Sequence, residues 1–449
     1  ELLEQFDWVY VLITTEQRRL TKEQKESVGL LSIGTMLEYF DLMLYVHMAV
    51  LLNELFFPKT DAHTTALLSA FAFCSSFIFR PFAALLFGWL GDNIGRKATV
   101  VMTTFLMSIS CVIMANLPTY EQIGISAAWL VTLCRMLQGA SSMGEVIGAE
   151  LYLTETIKPP LQYFYVALMV VADKIGIFTA LGVAFLVTSF GLNWRLAFWV
   201  GAVVALVGAI ARTNLRETPE FVDAKKRINN MLKAANLPID KNIQSLQKVN
   251  KKYVVSYFLI ECASPLWFCI SYVYCSNLLK TKFGFTPEEI ISHNFLVSII
   301  DMFFVVVLMF LVKIFHPIKV LTIRLLIYVI PLLFVANILD YITSPFELLI
   351  FQGLLIAAPV GYPAQAVFYK FFPVLHRFKC SSLTFAIAKA FMYVISSFGL
   401  FILTDKYGYT GLMFLIIPII IGYGYGLMTF IKSNSIGFNL QTLEKEKLG

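Results

Sequence analysis

Charge is what this 449-residue chain has least of: Asp, Glu, Lys and Arg together make up only 14%, where a soluble globular protein carries about a quarter. That scarcity excludes an ordinary soluble domain, and with 58% hydrophobic residues and a mean hydropathy of +0.74 the chain reads as an integral membrane protein. Cysteine is sparse as well. The seven cysteines, at 74, 111, 134, 262, 269, 275 and 380, lie within apolar stretches with no C-x-x-C pair and no neighbouring histidines. They read as soft packing residues, not as disulfides or a metal site. No P-loop, no G-x-G-x-x-G after a strand and no nucleophile elbow is found, so neither an enzymatic reaction nor a cofactor is expected. The net charge of +6 calls for no nucleic acid, because the bases sit in loops between apolar runs.

What the chain does have is apolar runs of membrane-spanning length. They fall near 28–52, 63–90, 98–116, 122–151, 161–189, 194–213, 253–279, 288–312, 317–339, 346–370, 378–404 and 409–431. The expected fold is therefore all-α: twelve transmembrane helices in two six-helix pseudo-repeats. A long basic interruption separates the halves, which gives a tail at 1–27, a first half at 28–213, a linker at 214–252, a second half at 253–431 and a tail at 432–449. With the N-terminus inside, inside segments hold about 25 Lys and Arg and outside loops roughly five. Both termini and the linker are thus expected to be cytoplasmic, in a multi-pass cell inner membrane protein. The 40 Phe and 20 Tyr suit lipid-facing and interfacial surface. A weak internal echo aligns Gln138-Gly139 with Gln352-Gly353 and places Arg135 opposite Leu349.

The stretch "GWLGDNIGRK" (88–97) follows the second run. Gly88 and Gly91 permit close helix approach, Asp92 is able to pair with a helix N-terminus or a base, and Gly95, Arg96 and Lys97 complete the turn. Its spacing resembles the signature of the major facilitator superfamily, with Asn93 where a base is usual; the matching loop "VKIFHPIKV" keeps bases but loses the Gly and Asp. "LEYFDLMLY", "RPFAALLFGWLGD", "RMLQGASSMGE" and "LRETPEF" further resemble the metabolite:proton symporter branch, which includes proline and glycine-betaine, alpha-ketoglutarate, citrate and shikimate carriers. The resemblance thins in the second half to "FFPVLHRFKCSSLTFAIAKA". Drug exporters of the superfamily carry a Gly-Pro motif in span five, which "VALMVVADKIGIFTALG" lacks, so the resemblance implies uptake by alternating access between halves.

Ionisable residues inside a membrane are costly and mark function. Glu38 and Asp41 lie three apart on one face of span one, with Tyr39 beside them and Tyr45 a turn on; together with Glu145 they are the expected proton-coupling acids. Arg135 and Gln138 in span four, with Tyr39 and Tyr45, are the expected substrate contacts; the resemblance implies that spans one and four line the central cavity, Arg135 reaching Glu38 or Asp41, and Trp267 and Tyr274 (and Tyr272) of span seven are a candidate cation-π face. A gating role is expected for the 88–97 residues and for a pair between Lys174 of span five and Asp301 of span eight. Glu261 is a candidate partner for Lys389, Glu150 and Glu155 read as solvated or latch residues, and His47 and His293 as near-surface lone histidines. The expected function is proton-coupled uptake of a zwitterionic osmolyte such as proline or betaine, with a dicarboxylate or other organic acid as the alternative. Partners are the solute, protons and the lipid bilayer, and the chain is expected to act as a monomer. An exporter or a non-transporting receptor fits less well, since the titratable interior and the signature loop are both present.

Overall fold

The computed structural model describes residues 17–47, 52, 55–58, 76–213, 215–219, 222–223, 226 and 249–448. It is built of helices: α1 (Lys22–His47), α2 (Arg80–Asn93), α3 (Arg96–Asn116), α4 (Ile125–Thr156), α5 (Leu161–Ser189) and α6 (Arg195–Arg212) come first. After the linker follow α7 (Lys251–Phe283), α8 (Pro287–Leu311), α9 (Pro317–Leu333, bent by 55° into Val335–Tyr341), α10 (Pro345–Ile356), α11 (Arg377–Tyr407) and α12 (Met413–Leu448). Among the described residues, six stretches are long and apolar enough to cross a bilayer, or seven if the bent α9 pair is one span. Most of the expected linker, residues 227–248 above all, lies outside the described residues, as do the side chains of Glu145 and His47.

Helix starts are set by local chemistry. α8 and α10 each open on a capping box (Thr286 with Glu289, Ser344 with Glu347) followed by proline, and His316 caps α9 ahead of Pro317. In hydrocarbon every backbone group needs an internal partner, so the spans are helical wherever they meet lipid, and large side chains such as Phe82, Trp129 and Phe303 face outward.

Two expectations about the spans change. The tenth, expected to run from 346 to 370, stops at Ile356 and resumes only as the short helix Gln365–Tyr369, because Pro359 and Pro363 lack the N–H that would continue it. The freed carbonyls are taken up by side chains: Arg324 donates to Ala357, Tyr362 and Ile356, Trp267 to Pro359 and Tyr423 to Val360, at 2.8–3.3 Å. In α7 the turns Cys269–Tyr274 form a π-helix, which rotates the side chains after it relative to an unbroken helix.

Within the first half α1 packs on α5 and α6, and α3 on α4 and α6; within the second, α7 packs on α11 and α12, and α9 on α12. Between the halves α2 packs on α11 and α5 on α8, with smaller contacts of α4 to α11 and of the short helix Gln365–Tyr369 to α4 and α5. The α2–α11 crossing depends on missing side chains. A Cβ on Gly88 would lie 2.7 Å from the Lys379 backbone, and one on Gly91 2.4 Å from the Phe378 ring. Gly88→Val is therefore expected to lower the thermal unfolding midpoint of the detergent-solubilised protein, by overpacking worth about 1–3 kcal/mol. Gly29→Ala, on α1 where a Cβ would meet nothing within 4 Å, is expected to leave it unchanged or raise it. Equal midpoints for both variants would remove the close approach as an explanation.

Candidate functional site

The 88–97 loop and the ends of α2, α3, α4 and α11 meet in a buried ion cluster. Asp92, on the last turn of α2, accepts from the backbone N–H of Phe378 (3.1 Å) and Lys379 (2.9 Å), capping α11 from the other half. Arg96 donates to Asp92 at 3.2 Å, to both oxygens of Glu155 at 3.0 Å, and to the carbonyls of Gly91 (2.6 Å) and Val374 (2.7 Å). Arg377 adds a 3.2 Å bond to Glu155, and the Thr218 hydroxyl another at 2.7 Å. Glu155 is thus buried and doubly paired instead of solvated. Burial alone would raise its carboxyl, but Arg96 and Arg377 outweigh that and hold it below the usual range. Glu217, within the "LRETPEF" stretch, accepts from the N–H of Arg96 and Lys97 and so caps α3. Gly95 lies beneath it at φ 142°, where a Cβ would sit 1.9 Å from the Glu217 carboxylate. The sequence reading missed Glu217; its position just after a span and before Pro219 was the available signal.

A second cluster lies deeper, between the halves. Glu38, Asp41 and Tyr45 of α1 are buried, and Arg135 stacks over the Tyr45 ring at 4.2 Å while its Nη1 donates to Gln138 at 3.0 Å. Asp41 faces Gln138 and Cys111 and lies within electrostatic reach of Arg135. Tyr39 has Asp173, Glu38, Arg80 and Tyr393 around it. Arg80, at the start of α2, is 5% exposed and sits 4.6 Å over Phe77, whose ring meets Tyr393 of α11 at 4.1 Å. The Arg80 Nε has no hydrogen-bond partner among the described residues. Arg80 entered the sequence reading only within the "RPFAALLFGWLGD" resemblance, with no role, and Arg324 not at all, although Arg80 is the single Lys or Arg of its apolar run.

Other expected residues divide between these clusters and separate places. Lys174 and Asp301 pair across α5 and α8 at 2.5 Å. Lys389 meets Glu261 at 3.2 Å. Glu150 is buried, not solvated, and accepts from Tyr369. His293 is buried against Gln352 at 2.7 Å. Trp267, Tyr272 and Tyr274 do not form one face. The π-helix turns them apart: Trp267 bonds Pro359 inside the second half, Tyr272 stacks on Phe268, and Tyr274 lines an outer pocket with Asp340 and Asp405. Among the described residues no group of three His, Cys, Asp or Glu suited to a metal occurs.

The family model described as Major Facilitator Superfamily matches residues 31–387. The inner membrane metabolite transport protein YhjE of Escherichia coli (strain K12) is 37% identical over 44% of this chain and 47% of its own length. The proline/betaine transporter of the same organism is 30% identical over 44% of this chain and 41% of its own. The chain thus spans about half the length of the curated relatives it matches. Among solved structures, the proton:xylose symporter XylE bound to 6-bromo-6-deoxy-D-glucose superposes with a TM-score of 0.73 at 15% identity, over 91% of this chain and 94% of that one, which is a likeness of fold.

Arg96 is the hub of the loop cluster. Arg96→Ala would leave Glu155 with Arg377 and Thr218 only, at an expected cost of about 3–5 kcal/mol, the penalty for breaking a buried pair. Thermal unfolding of the purified variant measures this, and a midpoint equal to the parent's would show that Glu155 is held by other means.

Proposed function

This chain belongs to the major facilitator superfamily, and from that premise we propose that it is a proton-coupled carrier bringing a small zwitterion inward by alternating access. In this reading twelve spans cross the membrane, both termini are cytoplasmic, and the monomer is the working unit. The observation that carries it is the buried Arg80 guanidinium, beside Arg135 and among the carboxyls of Glu38, Asp41 and Asp173. Its Nε has no hydrogen-bond partner among the described residues, and a buried donor left open is costly unless an anion arrives to share the site. A carboxylate is the fitting anion, held by a bidentate guanidinium. The surrounding acids and the rings of Tyr39, Phe77 and Tyr393 suit the positive end of the same molecule.

Proton coupling draws on the same acids. The carboxyls of Glu38, Asp41 and Asp173 crowd one dry region, and like charges so close are best accommodated when a proton is shared among them. Loss of that proton on the inner side would leave the solute competing with an ionised acid for Arg80 and Arg135, which favours release. The names of the relatives support a metabolite or osmolyte solute. A dicarboxylate is the second reading, favoured by the closeness of two guanidiniums, Arg80 and Arg135.

Uptake of labelled proline, glycine betaine, citrate and alpha-ketoglutarate into proteoliposomes, with and without an inward proton gradient, separates these readings. Gradient-stimulated proline or betaine uptake is expected; accumulation of citrate or alpha-ketoglutarate alone would favour the second reading, and gradient-independent uptake would reject symport. Arg80→Ala is expected to weaken half-saturation about 10- to 100-fold, the loss of a charge-assisted hydrogen bond. Asp41→Asn should abolish accumulation while leaving exchange measurable.

A further inference from the structure

The interior of the latch end holds one acid that the signature motif does not use. Glu150 projects from α4 into the contact with the second half, 3% exposed, where Tyr369 of the short helix Gln365–Tyr369 donates to its Oε2. The charged and titratable groups facing it are Tyr257 and Glu261 of α7, Lys389 of α11 and Asp173 of α5, besides Tyr369 itself. Lys389 is already taken, 3.2 Å from the Glu261 carboxylate and 3.4 Å from its carbonyl. Lys174, the nearest base on α5, is likewise spent on Asp301. Glu150 and Glu261 thus share one ammonium, already bonded to Glu261, with Asp173 a further acid in reach, so the dry site accommodates Glu150 best with a proton on it.

Position adds a second argument. Asp173 lies within electrostatic reach of both Glu38 and Glu150, so a row of buried acids runs from the deep cluster to the latch end. Tyr369 sits just beyond the break in span ten, on a segment anchored to its own half by the carbonyls of residues 356–362 and to the first half by Glu150. Parting the halves at this end must break the Glu150–Tyr369 bond and admit water to the carboxyl.

We propose that Glu150 and Tyr369 form a proton-linked lock between the halves, and that Glu150 is the station from which the transported proton leaves. Protonated Glu150 accepts the Tyr369 hydroxyl and keeps this end closed. When the end opens, the Glu150 O–H bond breaks, its proton passes to water on that side, and the carboxylate, now solvated, no longer favours the closed contact. This rests on the proton-coupled reading above, but its test needs no solute.

Spin labels at Lys158→Cys and Ile314→Cys, exposed positions on the two halves at this end, report the separation by double electron–electron resonance in a background with the native cysteines replaced. In the otherwise unaltered chain a longer-distance population should grow as pH rises. Glu150→Gln, which can still accept from Tyr369 but cannot ionise, should hold the short distance at every pH. Tyr369→Phe should show the longer population already at acidic pH. The same pH response in Glu150→Gln as in the parent, a parent that does not respond to pH, or a Tyr369→Phe variant indistinguishable from the parent would each overturn the lock. Failure of symport would show separately, as uptake indifferent to the proton gradient.

Discussion

One carboxylate, that of Asp92, ties the two halves together by bonding the first amides of α11. Those amides are unsatisfied by their own helix and carry the positive end of its dipole, so an anion placed there is stabilised twice. It can be placed there only because Gly88 and Gly91 let α2 approach to within contact of the α11 backbone. Arg96 then has to be buried to balance Asp92, Glu155 to balance Arg96, and Arg377 to complete the set. Each charge in the cluster is the reason the next one is tolerated. The loop motif is thus an electrostatic consequence of one cap, extended until every buried charge has a partner.

Elsewhere the same constraint is met by using backbone groups as partners. Arg324 supplies three donors to the carbonyls freed where span ten breaks. Arg212 likewise reaches the carbonyls of Leu30 and Leu31 and the Thr104 hydroxyl, tying α6 to α1 and α3. A guanidinium suits this work because its five donors in a rigid plane can satisfy several carbonyls at once. Against this background Arg80 stands apart, since it lies over the Phe77 ring, within electrostatic reach of Tyr39 and Arg135, with its Nε unpartnered among the described residues. That contrast is what makes it a candidate for an arriving anion.

How much of this was legible in the sequence differs by the kind of interaction. Motif spacing gave the latch residues and their family, because Gly88, Gly91, Asp92 and Arg96 act through a local turn and one crossing. Helix periodicity placed Glu38 and Asp41 on one face, and the packing of spans five and eight implied by the family resemblance paired Lys174 with Asp301. The tenth span looked continuous because its apolar run is continuous; only Pro359 and Pro363 hinted at a break, and whether prolines break a span depends on donors such as Arg324 from another helix. The aromatic face of α7 was lost to the π-helix, a change of hydrogen-bond register that no spacing rule reports. For Glu150 the sequence left solvated and latch roles open, because its nearness to the span end suggests solvent, and only the second half's cover over it decides between them.

The contacts between halves are of two chemical kinds, and the difference assigns them different work. Asp92 and Arg96 bind backbone amides and a carbonyl of the second half, groups that do not titrate, so half of each bond is the same at every pH. Glu150 with Tyr369 and Lys174 with Asp301 join side chains through an acid on at least one side, and such bonds change character when a proton moves. Bonds to backbone specify where the halves meet; bonds between side chains specify under which protonation state they stay together. A carrier that couples solute to protons needs both, and it needs the second kind to lie nearer the buried acids than the first. In this chain the ion cluster around the α11 cap holds both kinds, Asp92 to backbone and Glu155 to Arg377, while Glu150 lies inward of it, with Asp173 between Glu150 and Glu38.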